Sequence, residues 1–266
     1  MDILEILGYF GALLIGVVLG LIGGGGSILT VPVLVYMMAI NPVTATAYSL
    51  FIVGSSSLMG AGRNLQKGLV GFKTALIFAI PAVITVFSTR KFLVPALPEE
   101  LFEVGGFMVT RDIGIMLFFA ILMLFASISM IYDKKELLEK KQEKKPVNFF
   151  LLGALGILTG LITGIVGAGG GFIIIPILVL LAGLPMKKAV GTSLLIIAIN
   201  SLLGFLGDLG HQEIDWPFLL IFTAIAISGI FLGVYLNKFF DGKKLKKGFG
   251  WFVLLMGIYI IWSELY

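Results

Sequence analysis

The 266-residue chain has no cysteine, a single histidine and few charges. Without cysteine there is no disulfide, no thiolate nucleophile and no sulfur-ligated metal. The one histidine, His211, stands in the acidic stretch DLGHQEIDW that begins at Asp208, and it lacks the second histidine or cysteine that a zinc site needs. A solvated loop histidine is the simpler reading, and neither a metal nor a cofactor is called for. Charged residues make up 13% and hydrophobic ones 59%, against about a quarter and about half in soluble domains. So little charge cannot cover a water-facing surface, and a bilayer is the expected solvent. The opening segment MDILEILGYF is acidic and has neither a basic n-region nor a small-residue cleavage site. It does not read as a signal peptide, and the first helix is expected to be retained.

Apolar runs between glycine, proline and charge predict about ten membrane segments, near 4–22, 27–40, 43–61, 70–89, 112–132, 149–166, 172–183, 188–206, 216–237 and 249–264. If each segment changes side, one set of gaps holds Arg90, Lys91 and Arg111, and the other holds the remaining 16 of the 19 Lys and Arg. The positive-inside rule makes the richer face cytoplasmic and puts both termini outside. The charged stretch DKKELLEKKQEKKPVN from Asp133 then reads as a solvated cytoplasmic linker, with Glu136 and Lys140 spaced as a helical pair and Pro146 suited to a first turn. The outer stretch around Pro98, Glu99 and Glu100 is expected to open a short interfacial helix.

Shifting the chain by 144 residues aligns the 41 residues from Gly20 with those from Gly164, without a gap and with 14 identities. Gly20, Gly23, Gly25, Gly26, Pro32, Ser49, Ser57 and Gly60 fall on Gly164, Gly167, Gly169, Gly170, Pro176, Ser193, Ser201 and Gly204. Glycine, proline and serine in register are not what apolar chance supplies. The expected organisation is therefore a first membrane repeat over 1–133, a linker over 134–147 and a second repeat over 148–266. Five segments per half is an odd number, so the second repeat enters the membrane inverted, as in many secondary transporters. The fold class is all-α: a polytopic membrane protein of two inverted repeats, with short half-helices after glycine-rich knots.

The knots are GGGG at Gly23 to Gly26, followed by Ser27, and GAGGG at Gly167 to Gly171. Glycine breaks a helix, and irregular backbone in lipid is tolerated only where protein or a water-filled cavity covers it. Half-helices are expected to start near Ser27 and Phe172, each presenting free N–H groups and a positive dipole end to an anion. A polar stripe follows: Ser49, Ser56 and Ser57 in one copy match Ser193, Asn200 and Ser201 in the other, on one helical face. Hydroxyls and an amide donate to an anion without adding fixed charge. Close helix packing and interhelical hydrogen bonding are the plainer roles for these same residues.

GLIGGGGSILTVP and GIVGAGGGFIIIP, followed by ATAYSLF and AVGTSLL, resemble the two repeat signatures of the TauE/SafE sulfite exporter family. The resemblance covers both halves and implies an integral membrane transporter, usually an exporter, of small sulfur oxyanions or organosulfonates. It extends the candidate substrate-binding set to Gly23, Gly25, Gly26, Ser27, Ser49, Gly167, Gly169, Gly170, Gly171, Thr192, Ser193 and Asn200. Gly71 departs from it, since the second copy has Asp215 there. The expected function is a secondary transporter of sulfite or a sulfonate. A passive anion channel is the alternative, and an intramembrane enzyme built on His211 is a distant third. The partners are a small anion and membrane lipid, not nucleic acid. No Asp, Glu, Lys or Arg lies deep in an expected span, so no proton relay is legible.

Overall fold

Eight helices long and apolar enough to cross a membrane, and two shorter ones, make up most of the described chain, residues 3–104, 106–131, 148–236, 239 and 242–265 of a computed structural model. In lipid an unpaired backbone amide costs several kcal/mol, so apolar runs must take the form that pairs every amide internally. In chain order these are α1 (Ile3–Ile22), the short α2 (Gly24–Met37), α3 (Pro42–Gln66), α4 (Phe72–Ala96), a hairpin of β1 (Glu100–Val104) and β2 (Phe107–Thr110), and α5 (Arg111–Ile131). Then follow α6 (Phe149–Val166), the short α7 (Gly171–Leu180), α8 (Met186–Leu206), α9 (Trp216–Leu236) and α10 (Gly242–Leu265). Bulky apolar side chains such as Ile80, Ile84, Phe125, Leu220, Leu255 and Trp262 face outward, as a lipid-facing surface requires. The linker 134–147, with Glu136, Lys140 and Pro146, lies outside the described residues.

Two local expectations need correction. The residues after Pro98 form an antiparallel hairpin rather than an interfacial helix, with Phe102 opposite Val109, Glu103 opposite Met108 and Val104 opposite Phe107. The aromatic and β-branched run FMVT favours a strand, and Gly106 at φ +86 supplies the turn. Second, α4 does not stop near residue 89. It continues through a π-helical turn, Thr89–Leu93, to Ala96. Arg90 therefore belongs to the helix and not to a loop.

Glycines set how the helices pair. Gly16 and Gly20 on α1 touch the backbone of α9 at Ala226 to Val234, and Gly229 and Gly233 return the contact at Leu13 to Val17. Gly156, Gly160 and Gly164 on α6 meet Phe78, Ala82 and Thr89 of α4 in the same way. Both pairs run parallel, at the close approach that small residues allow. By contrast α3 and α8 run antiparallel, with Gly54 against Leu202 and Gly60 against Leu194. So do α5 and α10, where Gly250 meets Met130 and Gly257 meets Met123. One hydrogen bond occurs twice at the 144-residue shift: the Gly71 N–H donates to Thr192 Oγ1 at 2.9 Å, and the Asp215 N–H donates to Tyr48 Oη at 2.7 Å. Asp215 also caps α9, its Oδ1 accepting from the Phe218 N–H at 3.1 Å.

Candidate functional site

The knots break their helices by backbone conformation. Gly23 has φ +81, and Gly167, Gly169 and Gly170 have φ +74, +66 and +71. A side chain in that left-handed region costs roughly 1–2 kcal/mol. The short helices start at Gly24 and Gly171, slightly earlier than expected. Gly25 and Gly26 lie outside the left-handed region. At Gly26 a Cβ would stand 2.5 Å from the Leu19 backbone nitrogen, whereas at Gly25 it would meet only Ile22 at 3.2 Å and Met130 at 3.6 Å. The two helix starts meet backbone on backbone. A Cβ on Gly24 would lie 2.6 Å from Gly171 Cα, and one on Gly171 would overlap the Gly24 carbonyl. Both starts, from Gly23 to Ser27 and from Gly167 to Gly171, are buried.

The candidate side chains divide by whether their polar atoms are already used. Ser27 Oγ donates to the Gly24 carbonyl at 2.8 Å, Ser49 Oγ to the Gly167 carbonyl at 2.8 Å, Thr192 Oγ1 to the Lys188 carbonyl at 2.6 Å and Ser193 Oγ to the Val190 carbonyl at 2.9 Å. Ser49 thus ties α3 to the second knot, and Thr192 ties α8 to the start of α4. Asn200 is different: it is fully buried, and neither its Nδ2 nor its Oδ1 has a partner. Ser56, Ser57, Ser201 and Thr30 are likewise buried with unpaired hydroxyls. Ser201 Oγ is 3.2 Å from where a Cβ on Gly169 would lie, and Ile197, one turn before Asn200 and Ser201, reaches both Gly24 and Gly169. The α3–α8 register sets Ser56 level with Asn200. Thr159 and Thr163 on α6 escaped the sequence reading. Both are buried with unpaired hydroxyls, and both flank Gly170. Their four-residue spacing just before the knot is the signal that marks them.

A second cluster lies at the end of the bundle that carries the hairpin. Arg90, fully buried, places Nη1 3.4 Å from Asp208 Oδ1, and Asp208 is only 2% exposed. Asp208 follows α8 in the loop to α9. Burial pushes its carboxyl up from 3.8 to about 6, against the opposing pull of Arg90 and, more weakly, of His211. Arg90, expected in a gap between segments, and Asp208, expected in an acidic loop, are therefore both buried and paired. The partners are 118 residues apart, so neither stretch of sequence reveals the pair.

Among the described residues no group of His, Asp and Glu is placed to hold a metal. Helices broken by glycine inside an apolar bundle, with unpaired polar atoms buried around the break, define a polytopic membrane transporter. The model of the family described as Sulfite exporter TauE/SafE matches residues 9–260, and the chain belongs to that family. It is 30% identical over 255 residues to a "Probable membrane transporter protein" of Xylella fastidiosa (strain 9a5c), covering 94% of this chain and 92% of the relative. It is 26% identical over 276 residues to the "Probable membrane transporter protein YunE" of Bacillus subtilis (strain 168), covering 96% of each. A "Probable membrane transporter protein MJ0441" of Methanocaldococcus jannaschii is 25% identical over 268 residues, covering 93% of this chain and 92% of the relative. No solved structure matches the chain.

Proposed function

We propose that the protein is a secondary transporter that exports a small sulfur anion, sulfite or an organosulfonate, held beside the meeting starts of α2 and α7. The observation that carries this is the meeting of Gly24 with Gly171 next to a polar set that has no partners of its own. Each short helix contributes roughly +0.5 of an elementary charge at its N-terminus, so two at one point offset an anion without a buried Lys or Arg. An unpaired buried polar group costs about 1–3 kcal/mol, a cost removed if Asn200, Ser201 and Ser56 turn to the oxygens of a ligand. Because these atoms are enclosed, the ligand gains access as one half of the bundle rocks against the other, which is alternating access.

The inverted repeat is part of the same reading. A two-fold axis in the membrane plane makes a helix antiparallel to its own counterpart, whereas an axis along the membrane normal keeps the two parallel. Two counterpart pairs that touch along their length, α3 with α8 and α5 with α10, are antiparallel.

The test is calorimetry of sulfite binding to purified protein. Asn200→Leu is expected to weaken binding tenfold or more, since about 1.4 kcal/mol is one decade, and Ser201→Ala to weaken it measurably. Ser228→Ala, on an exposed face of α9 with its hydroxyl bonded to the Ala224 carbonyl, is expected to change nothing. Unchanged affinity in both stripe variants would place the anion elsewhere.

A further inference from the structure

A cavity of about 450 Å³ opens at the hairpin end of the bundle, among Asn41, Val94, Arg111, Asp208, His211 and Gln212. Asp208 belongs both to this cavity and to the buried pair with Arg90. That pair is poorly made: a single 3.4 Å contact leaves Arg90 Nε and Nη2 and Asp208 Oδ2 without partners. A buried ion pair offsets its desolvation only with close geometry and its remaining donors satisfied. Arg111, the first residue of α5, donates to the Leu97 carbonyl through Nη1 at 3.5 Å and leaves Nε unpaired. So one guanidinium, Arg111, lines the cavity and a second, Arg90, lies behind Asp208, each with donor capacity to spare.

The surrounding charges decide when an anion can use it. Around Asp208 are Arg90 from α4, His211 from its own loop and, lining the same cavity, Arg111 of α5, with Asp112 next to Arg111 in the chain. The same loop carries Glu213 further on, and then Asp215, which caps α9. Asp112 is held by the Asn41 side-chain amide, which donates to its Oδ2 at 2.6 Å. The α3 end otherwise presents only uncharged residues, Val43 and Thr44. His211 apart, the charges of Arg90 and Arg111 are matched by those of Asp208 and Asp112, so an entering anion meets little net attraction from them. A proton on Asp208 would leave one positive charge in excess and free the Arg90 donors that Asp208 engages.

We propose that this cavity is an anion-binding vestibule in which Arg111 holds a sulfonate or sulfur oxyanion, with the charge of Arg90 behind Asp208 supporting it, together with a proton taken up by Asp208. The proton comes from the medium in the cavity and sits on the carboxyl, with no covalent chemistry. The raised position of the Asp208 carboxyl, about 6, puts that uptake within the ordinary pH range. The inference rests on the anion-transporter reading but not on the central site, and it supplies the coupling ion that the sequence does not show.

The test uses the full chain in lipid nanodiscs, titrated calorimetrically with methanesulfonate, which stays ionised between about pH 5 and pH 8. Binding is expected to weaken about tenfold per pH unit above roughly pH 6 and to level off below it, with about one proton taken up per anion near pH 7.5. Buffers of different ionisation enthalpy read that proton count. Arg111→Gln is expected to weaken binding at least tenfold near pH 5.5 with thermal stability kept. In a His211→Gln background, adding Asp208→Asn is expected to abolish proton uptake and the pH dependence. Should Asp208→Asn fail to fold, the proton count of His211→Gln and the affinity of Arg111→Gln decide the matter. Binding without proton uptake, or Arg111→Gln binding as tightly as wild type, overturns the vestibule. Neither result touches the central site if Asn200→Leu still weakens sulfite binding. No methanesulfonate binding at any pH also overturns the vestibule, while sulfite titrations still judge the transporter reading.

Discussion

At Gly24 and Gly171 the missing side chain is what allows two backbones to touch. A methyl group on either one meets main-chain atoms of the other, which cannot rotate aside as a side chain can. Overpacking of this kind costs about 1–3 kcal/mol. Gly24→Ala and Gly171→Ala are each expected to lower thermal stability and abolish sulfite flux in proteoliposomes. Gly25→Ala, whose methyl would meet the flexible side chains of Ile22 and Met130, is expected to keep both. Equal loss in all three would mean that the glycines serve helix packing generally and not this contact. At this scale the sequence was half legible. The knots were visible as glycine runs, but which glycine is left-handed and which is merely crowded depends on the opposite chain. The polar stripe was visible too, but not that Ser49 and Ser193 spend their hydroxyls on carbonyls while Asn200 does not.

Among elements, the directions of α3 and α8 bear most on the site, because together they place Ser56 level with Asn200. The absence of cysteine makes the register measurable. With a protease site inserted into the 134–147 linker, Gly60→Cys combined with Leu194→Cys is expected to join the cleaved halves on oxidation, because a Cβ on Gly60 lies 3.1 Å from Leu194 Cδ1. Gly60→Cys with Leu206→Cys is not, since twelve residues of helix separate Leu194 from Leu206 by about 18 Å. Joining by the second pair alone would reverse the helix direction. The ten segments themselves were legible because a bilayer admits few alternatives to helix. The hairpin and the end of α4 were not, for the opposite reason. Outside the apolar runs local propensity and tertiary contacts compete, and Arg90 and Lys91 look like a helix end until Asp208, 118 residues beyond Arg90, is brought beside it.

The whole molecule is organised by where its charge lies. The Gly71–Thr192 hydrogen bond brings the loop between α3 and α4 onto the start of α8, so Arg63, Lys67, Lys73, Lys187 and Lys188 gather at one end. Arg90, Arg111 and the hairpin lie at the other, around the cavity that Asp208 lines. In a membrane such a bias sets orientation, because loops rich in Lys and Arg stay in the cytoplasm. On that rule the lysine-rich end and the 134–147 linker are expected to be cytoplasmic and the vestibule to open outside, where the proposed exporter would release its anion. Release is favoured there if Asp208 gives up its proton in a medium above about pH 6, because the restored carboxylate repels the departing charge. Coupling by Asp208 therefore depends on which side the vestibule faces, and labelling measures that side. In intact cells a single cysteine at Glu99→Cys, exposed just before β1, is expected to react with an impermeant maleimide, and one at Gln142→Cys only after the membrane is opened. The reverse pattern would turn the vestibule toward the cytoplasm and make proton uptake there a loading step. Labelling of both positions from one side would overturn the proposed five-plus-five arrangement.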